Sequence, residues 1–420
     1  MDYLNGACIL HGGAPLPYGS SYSLHFGGPM IATVSATAMV PKDQSSAGRL
    51  FDLIDSGARG RDSERGLPAA TVDAFHDNGL FRALAPKEVG GGECGVREAF
   101  DIIEQISRAD GAAGWALMAG MTTLAIAGAF LGDSAVSEVL SDPRAVTAGQ
   151  VAPLGTATRT PDGIQIEGRF GFSSGSLHSS WIFGGYREHA GGEPVKLPNG
   201  MPNVLAALVP KYKVEFLGNW DVLGLEHTWS EDYQVPSQVV AEEFTFSVFA
   251  GKALRGGPSF GIGVNGLTCV AHSAWACGVA RRALEELRIQ LEAKRQPSRK
   301  TLIDDAHFQH EYALAEAGLS SAREYALSSL VALEEAAVAN CVTLEARGRA
   351  RLATSYACAQ AVKVTSLAYG FSGSAGLRRG ALQQCYRDIS AGEQHIFTDH
   401  NSVTNAGRVM LGVASPEMFF

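Results

Sequence analysis

The sequence predicts an α+β fold in which a strand-rich middle separates two helical ends. Three observations carry this. Residues 46–142 place apolar side chains at three- and four-residue spacing, the period of an amphipathic helix. From Thr147 to about Val240 that period gives way to alternation and to short apolar runs. From about Phe244 the long period returns, over 266–294, 304–337 and 346–369, with a last segment after Leu382. Three long helices and a shorter fourth, joined by short connectors, read as a four-helix bundle. The expected segments are a loose extension (1–45), a helical domain (46–146), a β domain (147–243) and a helical bundle (244–420).

Composition narrows the function. The 420 residues suffice for two or three domains with a large core. The net charge is −9 and no run of Lys or Arg occurs, which argues against a nucleic-acid partner or an anionic membrane surface. Seven scattered cysteines, an odd number without a CxxC pair, suit reduced thiols in a cytoplasm better than a disulfide framework. The twenty residues 112–131 carry no charge and are long enough to cross a bilayer. They are rich in Ala, Gly and Thr and flanked by Asp110 and Asp133, so a buried helix, or two short ones, is expected. The first 45 residues lack both periodicity and a basic signal-peptide start.

Taken in order, Leu50, Leu53 and Ile54 mark a first helix. Leu67-Pro68 opens a second, running through Val72, Phe75 and Leu80. Residues 98–108 turn Phe100, Ile103 and Ile106 inward. Asp162-Gly163 signals a turn, after which Ile164 and Ile166 alternate with Gln165 and Glu167 as in a half-buried strand. Phe172-Ser173-Ser174-Gly175 then sets small hydroxyls beside glycine, before an apolar strand from Trp181. Such a run lets a flat ligand approach the backbone and hydrogen-bond to it, and a flavin ring fits that description. A polar hairpin at a sheet edge is the plain structural alternative.

The stretch 162–185 resembles the middle-domain signature of flavin-dependent monooxygenases built on the acyl-CoA dehydrogenase fold. Asp162, Gly163, Gly168, Phe172, Ser174, Gly175, His178 and Trp181 fall on that signature. Residues 81–91 (FRALAPKEVGG), 109–115 (ADGAAGW) and 220–225 (WDVLGL) resemble further family segments. So does Arg387-Asp388 followed by His395, seven residues after the Asp. The resemblance implies an N-terminal helical domain, a middle β-barrel or sandwich and a C-terminal four-helix bundle. It implies a reduced flavin (FADH2 or FMNH2) that activates O2 as a C4a-hydroperoxide and hydroxylates an aromatic, phenolic small molecule. A separate NAD(P)H:flavin reductase would supply the flavin, and the chain would form a homotetramer or homodimer.

Site residues follow from the same resemblance. His395, on the last bundle helix, would act over the flavin as hydrogen-bond partner or as a base with a pKa near 7 that makes the phenolate. Its structural alternative is a satisfied helix histidine, and Arg387-Asp388 reads as a structural ion pair. Ser174, with Ser173 as understudy, would bond flavin N5. Phe172, Gly175, Thr228, Ser230 and Gln150 would complete the flavin contacts. Trp115, His178, His227 and Trp229 would face the substrate, although Trp115 reads equally as a core aromatic. Where family members continue Arg-Gly-Thr-Gly-Ser, this chain has Glu226-His227-Thr228-Trp229-Ser230, which implies a reshaped pocket.

Other motifs are weaker. Residues 261–266 spell GxGxxG, but a dinucleotide fingerprint needs a second strand ending in an acidic residue, and here a helical pattern simply continues. His307 and His310 lie near Asp304, Asp305 and Glu311, yet no second cluster completes a metal site, so a solvated helix face is expected. The alternatives to aromatic hydroxylation are an N- or S-oxygenase on the same fold, then an acyl-CoA dehydrogenase, then a non-catalytic flavin-fold scaffold. The dehydrogenase is disfavoured because His395-Ile396-Phe397 and Ile262-Gly263-Val264-Asn265 offer no carboxylate base where that family carries one.

Overall fold

Residues 44–60, 65–296, 298–398 and 400–414 are described by the computed structural model, so all but the end of the 1–45 extension lies outside the described residues. The chain begins with α1 (Gln44–Gly60), α2 (Ala69–Asp77), α3 (Val96–Ala109), α4 (Gly111–Phe130) and α5 (Asp133–Leu140). Leu80 falls outside α2, because Gly79 takes a left-handed conformation there and starts a separate 3-10 turn. α3 buries Phe100, Ile103 and Ile106, as its spacing demands.

The charge-free stretch forms one helix, α4, whose N-terminus is capped by the Asp110 carboxylate accepting from Ala113 N–H (2.8 Å). Of its most apolar window 89% is buried in the protein, so a helix apolar on all sides serves as the core around which α3 and the C-terminal helices pack.

The middle domain contains β1 (Thr147–Thr160), β2 (Gly163–Phe170), β3 (Trp181–Ala190), β4 (Glu193–Pro194), β5 (Val204–Pro210), β6 (Glu215–Phe216), β7 (Tyr233–Val240) and β8 (Thr245–Ser247). They form one sheet in the order β6-β7-β2-β1-β3-β5-β8, with β4 on β3. β1 and β3 run parallel; the other pairs are antiparallel. Successive residues of β3 serve opposite faces: Trp181 and Phe183 join the helical core, while Ile182 and Tyr186 join a second core with Phe170, Leu205 and Tyr233. Side chains of β2, β3, β5 and β7 meet in that second core, so the sheet curls around an interior of its own.

The C-terminal helices are α6 (Gly263–Ala293), α7 (Ala306–Val338), α8 (Leu344–Ser372), α9 (Ala381–Gly392) and α10 (His400–Met410). A buried ion pair, Arg282 on α6 with Asp55 on α1 (2.6 Å), ties the two helical domains together. The GxGxxG stretch enters α6 from a 3-10 turn, and a Cβ on Gly261 would press on Ala337 of α7 (3.1 Å). These glycines serve helix packing, and the 31-residue α6 takes the place of a βαβ unit. His307 and His310 are exposed on α7.

Candidate active site

Phe170 at the end of β2 pairs with Tyr233 at the start of β7. The loop that leaves β2 and the loop that enters β7 therefore lie side by side, and hydrogen bonds zip them together. Ser173 donates to Glu231 O from both its N–H (3.0 Å) and its hydroxyl (2.7 Å). Gly175 N–H donates to Thr228 O (3.0 Å), which requires Gly175 at φ 77, a conformation that costs glycine little. Ser173 is fully buried, with its hydroxyl committed to this zipper. Ser174, one position on, faces the other way. Its Oγ accepts from Trp115 Nε1–H on α4 (3.0 Å) and from Ser230 Oγ–H (2.8 Å). Ser230 lies 2.7 Å from Thr228 Oγ1, which in turn donates to Leu225 O (2.7 Å).

The result is a chain of three hydroxyls, 174–230–228, ending on a carbonyl. It has two registers. Protons run toward Ser174, leaving that hydroxyl free to donate, or they run from Ser174 to Leu225 O, leaving it free to accept. This is a fit to a flavin ring edge, whose N5 accepts a hydrogen bond when oxidised and donates one when reduced.

The other wall comes from the C-terminal helices. Trp115 packs edge-on against Trp275 of α6 (ring centroids 4.7 Å), His272 of α6 (5.3 Å) and His395 (5.8 Å). His395 is not on the last bundle helix. α9 ends at Gly392, where only glycine fits because a Cβ would lie 2.2 Å from the Trp275 ring. His395 follows in the turn after it, with its N–H on Gly392 O (3.1 Å). Its Nδ1 accepts from Phe397 N–H (3.2 Å), so the neutral ring carries its proton on Nε2. His272 has the opposite tautomer: Nδ1–H donates to Thr268 O (2.9 Å), and Nε2 is buried without a partner.

Both rings are held uncharged. Burial pulls His272 down to about 4, with the Arg351 guanidinium adding to the effect and the Thr268 carbonyl opposing it. Burial, then His272 and Arg351, hold His395 well below the ordinary histidine value. With Nδ1 taken by Phe397 N–H and the charged form disfavoured by burial, the His395 ring presents Nε2–H as a donor. Arg351 of α8 pins the segment from outside. Its guanidinium lies 3.4 Å from the Phe397 ring centre and donates to Ile396 O (3.0 Å) and Ser402 Oγ (3.0 Å).

Two motifs read separately in the sequence meet here. Gly224 of the 220–225 turn packs against α9 so closely that a Cβ would be 2.0 Å from Arg387 O. Next to it, Leu225 N–H donates to Asp388 Oδ1 (2.6 Å), which also accepts from Gln384 Nε2 (2.7 Å). Arg387 donates to Gln384 Oε1 and lies 3.9 Å from Glu226. The Arg-Asp motif thus fastens the hydroxyl-bearing loop to the helix that leads to His395.

The remaining expected residues are placed as follows. Gln150 braces the β2 loop through Gly171 O (2.7 Å). Phe172 is 68% exposed at φ 65, beside Trp220. His178 packs on Phe81 beneath Gly175, with burial pulling it down to about 4, aided by the charges of His76 and Lys211. His227 is half-buried in the 3-10 turn of residues 226–228. Trp229, at φ 48, gives its indole N–H to the Glu231 carboxylate and lies under the Arg65 guanidinium (5.1 Å). The geometry unites Ser174, Thr228, Ser230, Trp115 and His395, with His178 and Trp229 toward α2. The sequence reading missed His272, Trp275 and Arg351. A signal for His272 existed: it is the one ionisable imidazole in the charge-free run 264–280.

Comparison with known proteins agrees with this architecture. Residues 52–133 match the acyl-CoA dehydrogenase N-terminal domain and residues 270–400 the acyl-CoA dehydrogenase C-terminal domain. The chain is 30% identical over 382 residues to an indole-3-acetate monooxygenase of Pseudomonas putida, covering 89% of this chain and 96% of that protein. It is 26% identical to the flavin-dependent monooxygenase oxygenase subunit HsaA of Mycobacterium tuberculosis, covering 83% of this chain and 90% of that protein. Among solved structures, 3-HSA hydroxylase from Rhodococcus sp. RHA1 superposes with a TM-score of 0.82 at 22% identity, over 89% of this chain and 98% of that one. XiaF from Streptomyces sp., solved with FADH2 and glycerol, gives 0.77 at 22% identity, over 89% and 98%. The chain belongs to the flavin-dependent monooxygenases built on the acyl-CoA dehydrogenase fold.

Proposed function

We propose that this chain is the oxygenase component of a two-component system and oxygenates an electron-rich aromatic that reacts while uncharged, an indole-type heteroaromatic in preference to a phenol. The observation that carries the choice is the state of His395. A phenol gains most of its nucleophilicity on losing its proton, and that calls for a base near neutrality. An imidazole held well below its ordinary value, with its proton on Nε2, is a poor base and a good donor. An indole carbon is nucleophilic without deprotonation. Relatives at 30% and 27% identity are named as indole-3-acetate monooxygenases. A relative named as a p-hydroxyphenylacetate 3-hydroxylase oxygenase component, at 24% over 55% of this chain, keeps the phenol as second reading.

Bound reduced flavin supplies two electrons to O2, so that one oxygen atom enters the substrate and the other leaves as water. The protein's own groups shape where that happens. Ser174 would hold the ring edge, its hydroxyl able to donate or accept according to the register of the hydroxyl chain. His395, packed against the Trp115 ring, would offer its Nε2–H as a donor there. The buried Trp115–Trp275 wall would keep water from the reacting centre, which favours oxygen transfer over release of H2O2. Phe172, Gly175 and Gln150 shape the flavin side, while His178, His227 and Trp229 border the substrate. The flavin arrives from a separate NAD(P)H-dependent reductase, the chain works as a homodimer or homotetramer, and its odd number of scattered cysteines without a CxxC pair favours a reducing cytoplasm. The test is turnover with indole-3-acetate and with p-hydroxyphenylacetate under supplied FADH2 or FMNH2. The indole should be the better substrate by at least about tenfold in kcat/KM; the reverse preference would reject the proposal in favour of the phenol.

A further inference from the structure

We propose that His272 is a positioning residue for the site: its ring, stacked on His395 and locked by its own Nδ1–H on Thr268 O, keeps His395 in the single Nε2–H form that can donate into the site. The inference rests on the reading of His395 as the donor, and adds a residue that the hydroxylation chemistry itself does not call for.

The geometry is specific. The two ring centres lie 4.1 Å apart at a tilt of 31°. Phe397 completes the stack on His272 at 5.6 Å and 18°. His272 cannot turn freely, because its Nδ1–H is held by a helix carbonyl four residues back. Its bare Nε2 has no hydrogen-bond partner although it is buried, an expensive arrangement for a residue that only fills space. Phe or Leu would fill the same volume without it.

The surroundings keep protons off both rings. Arg351 of α8 supplies a fixed positive charge to both. Cys269 of α6 and Cys358 of α8 are the neighbouring thiols; burial raises Cys269 and pushes Cys358 up to about 12, so neither supplies a compensating anion near neutrality. α4 contributes Trp115, which is uncharged. With water kept from one face of His395 by a second ring, protonation of either imidazole is disfavoured, and the stack on His272 holds the His395 ring where the Phe397 N–H bond selects the tautomer.

The test uses the flavin-free full chain, labelled with 15N-histidine, so its outcome does not depend on which aromatic is oxidised. Long-range 1H–15N spectra from pH 4 to 8, assigned with His272→Gln and His395→Gln, should show His272 as Nδ1–H and His395 as Nε2–H. Both should stay uncharged at neutral pH. In His272→Ala, water enters beside His395. Its titration should rise by about one pH unit or more, and the single tautomer should become a mixture. His272→Phe keeps a ring in the stack but loses the lock on Thr268 O, so it should restore the parent behaviour of His395 only in part. Should the alanine variant fail to fold, His272→Gln reads the same upward shift. A folded His272→Ala or His272→Gln protein in which His395 keeps the parent titration and tautomer would overturn the proposal.

Discussion

At the scale of single residues, the site depends on hydrogen-bond roles more than on charge. Ser174→Ala removes the one hydroxyl that faces away from the loop zipper. Loss of a hydrogen bond of about 1–3 kcal/mol should raise the share of O2 released as H2O2 and lower product formation on the order of tenfold or more, read by peroxide assay against product. Ser173→Ala should leave coupling nearly unchanged and instead lower thermal stability, because its hydroxyl bonds Glu231 O and nothing in the site. Trp115→Phe keeps the wall and loses the N–H to Ser174, so coupling should fall less than in Ser174→Ala. The difference between the two serines was beyond the sequence. Neighbouring loop residues face opposite ways, and only the partner strand decides which of two hydroxyls is committed. His272 was hidden for a related reason: a lone histidine in an apolar helix reads as core until the rings across from it are known.

At the scale of elements, the linkage of the 220–225 turn to α9 governs the site. Gly224→Ala forces a Cβ against Arg387 O, which neither backbone can avoid without moving. We expect a loss of about 1–3 kcal/mol, measured by urea denaturation, and weaker binding of reduced flavin because Thr228 and Ser230 ride on the displaced loop. The sequence made the helices and the β2 hairpin legible, since spacing and the Asp162-Gly163 turn reflect local physics. It also showed the RD motif and the WDVLGL turn. That the two fasten to each other, 163 residues apart, needed the fold. The sequence also placed His395 on the last bundle helix, whereas α9 ends at Gly392 and His395 lies in the turn that follows.

At the scale of the whole molecule, buried neutral histidines set an acid limit. His178 and His272 are pulled to about 4 and His395 is held well below the ordinary histidine value, all by burial first. The unfolded chain binds these protons at about 6.5 and the folded chain does not. Stability is therefore full above about pH 6.5 and falls as pH drops toward 4, by on the order of 3 kcal/mol for His272 alone. Urea midpoints across pH 4–8 should show that slope, and it should flatten in His272→Phe.

The most direct test of the central claim is a single turnover under 18O2. The protein would be charged anaerobically with FADH2 or FMNH2 and indole-3-acetate, mixed with labelled oxygen at pH 6, 7 and 8, and the product analysed by mass. The expected result is one 18O atom in the oxidised indole, with a yield nearly independent of pH because burial keeps His272 and His395 uncharged over that range. Complete conversion of O2 to H2O2 with no label in the aromatic, or a yield that climbs tenfold with pH as a base is freed, would contradict it.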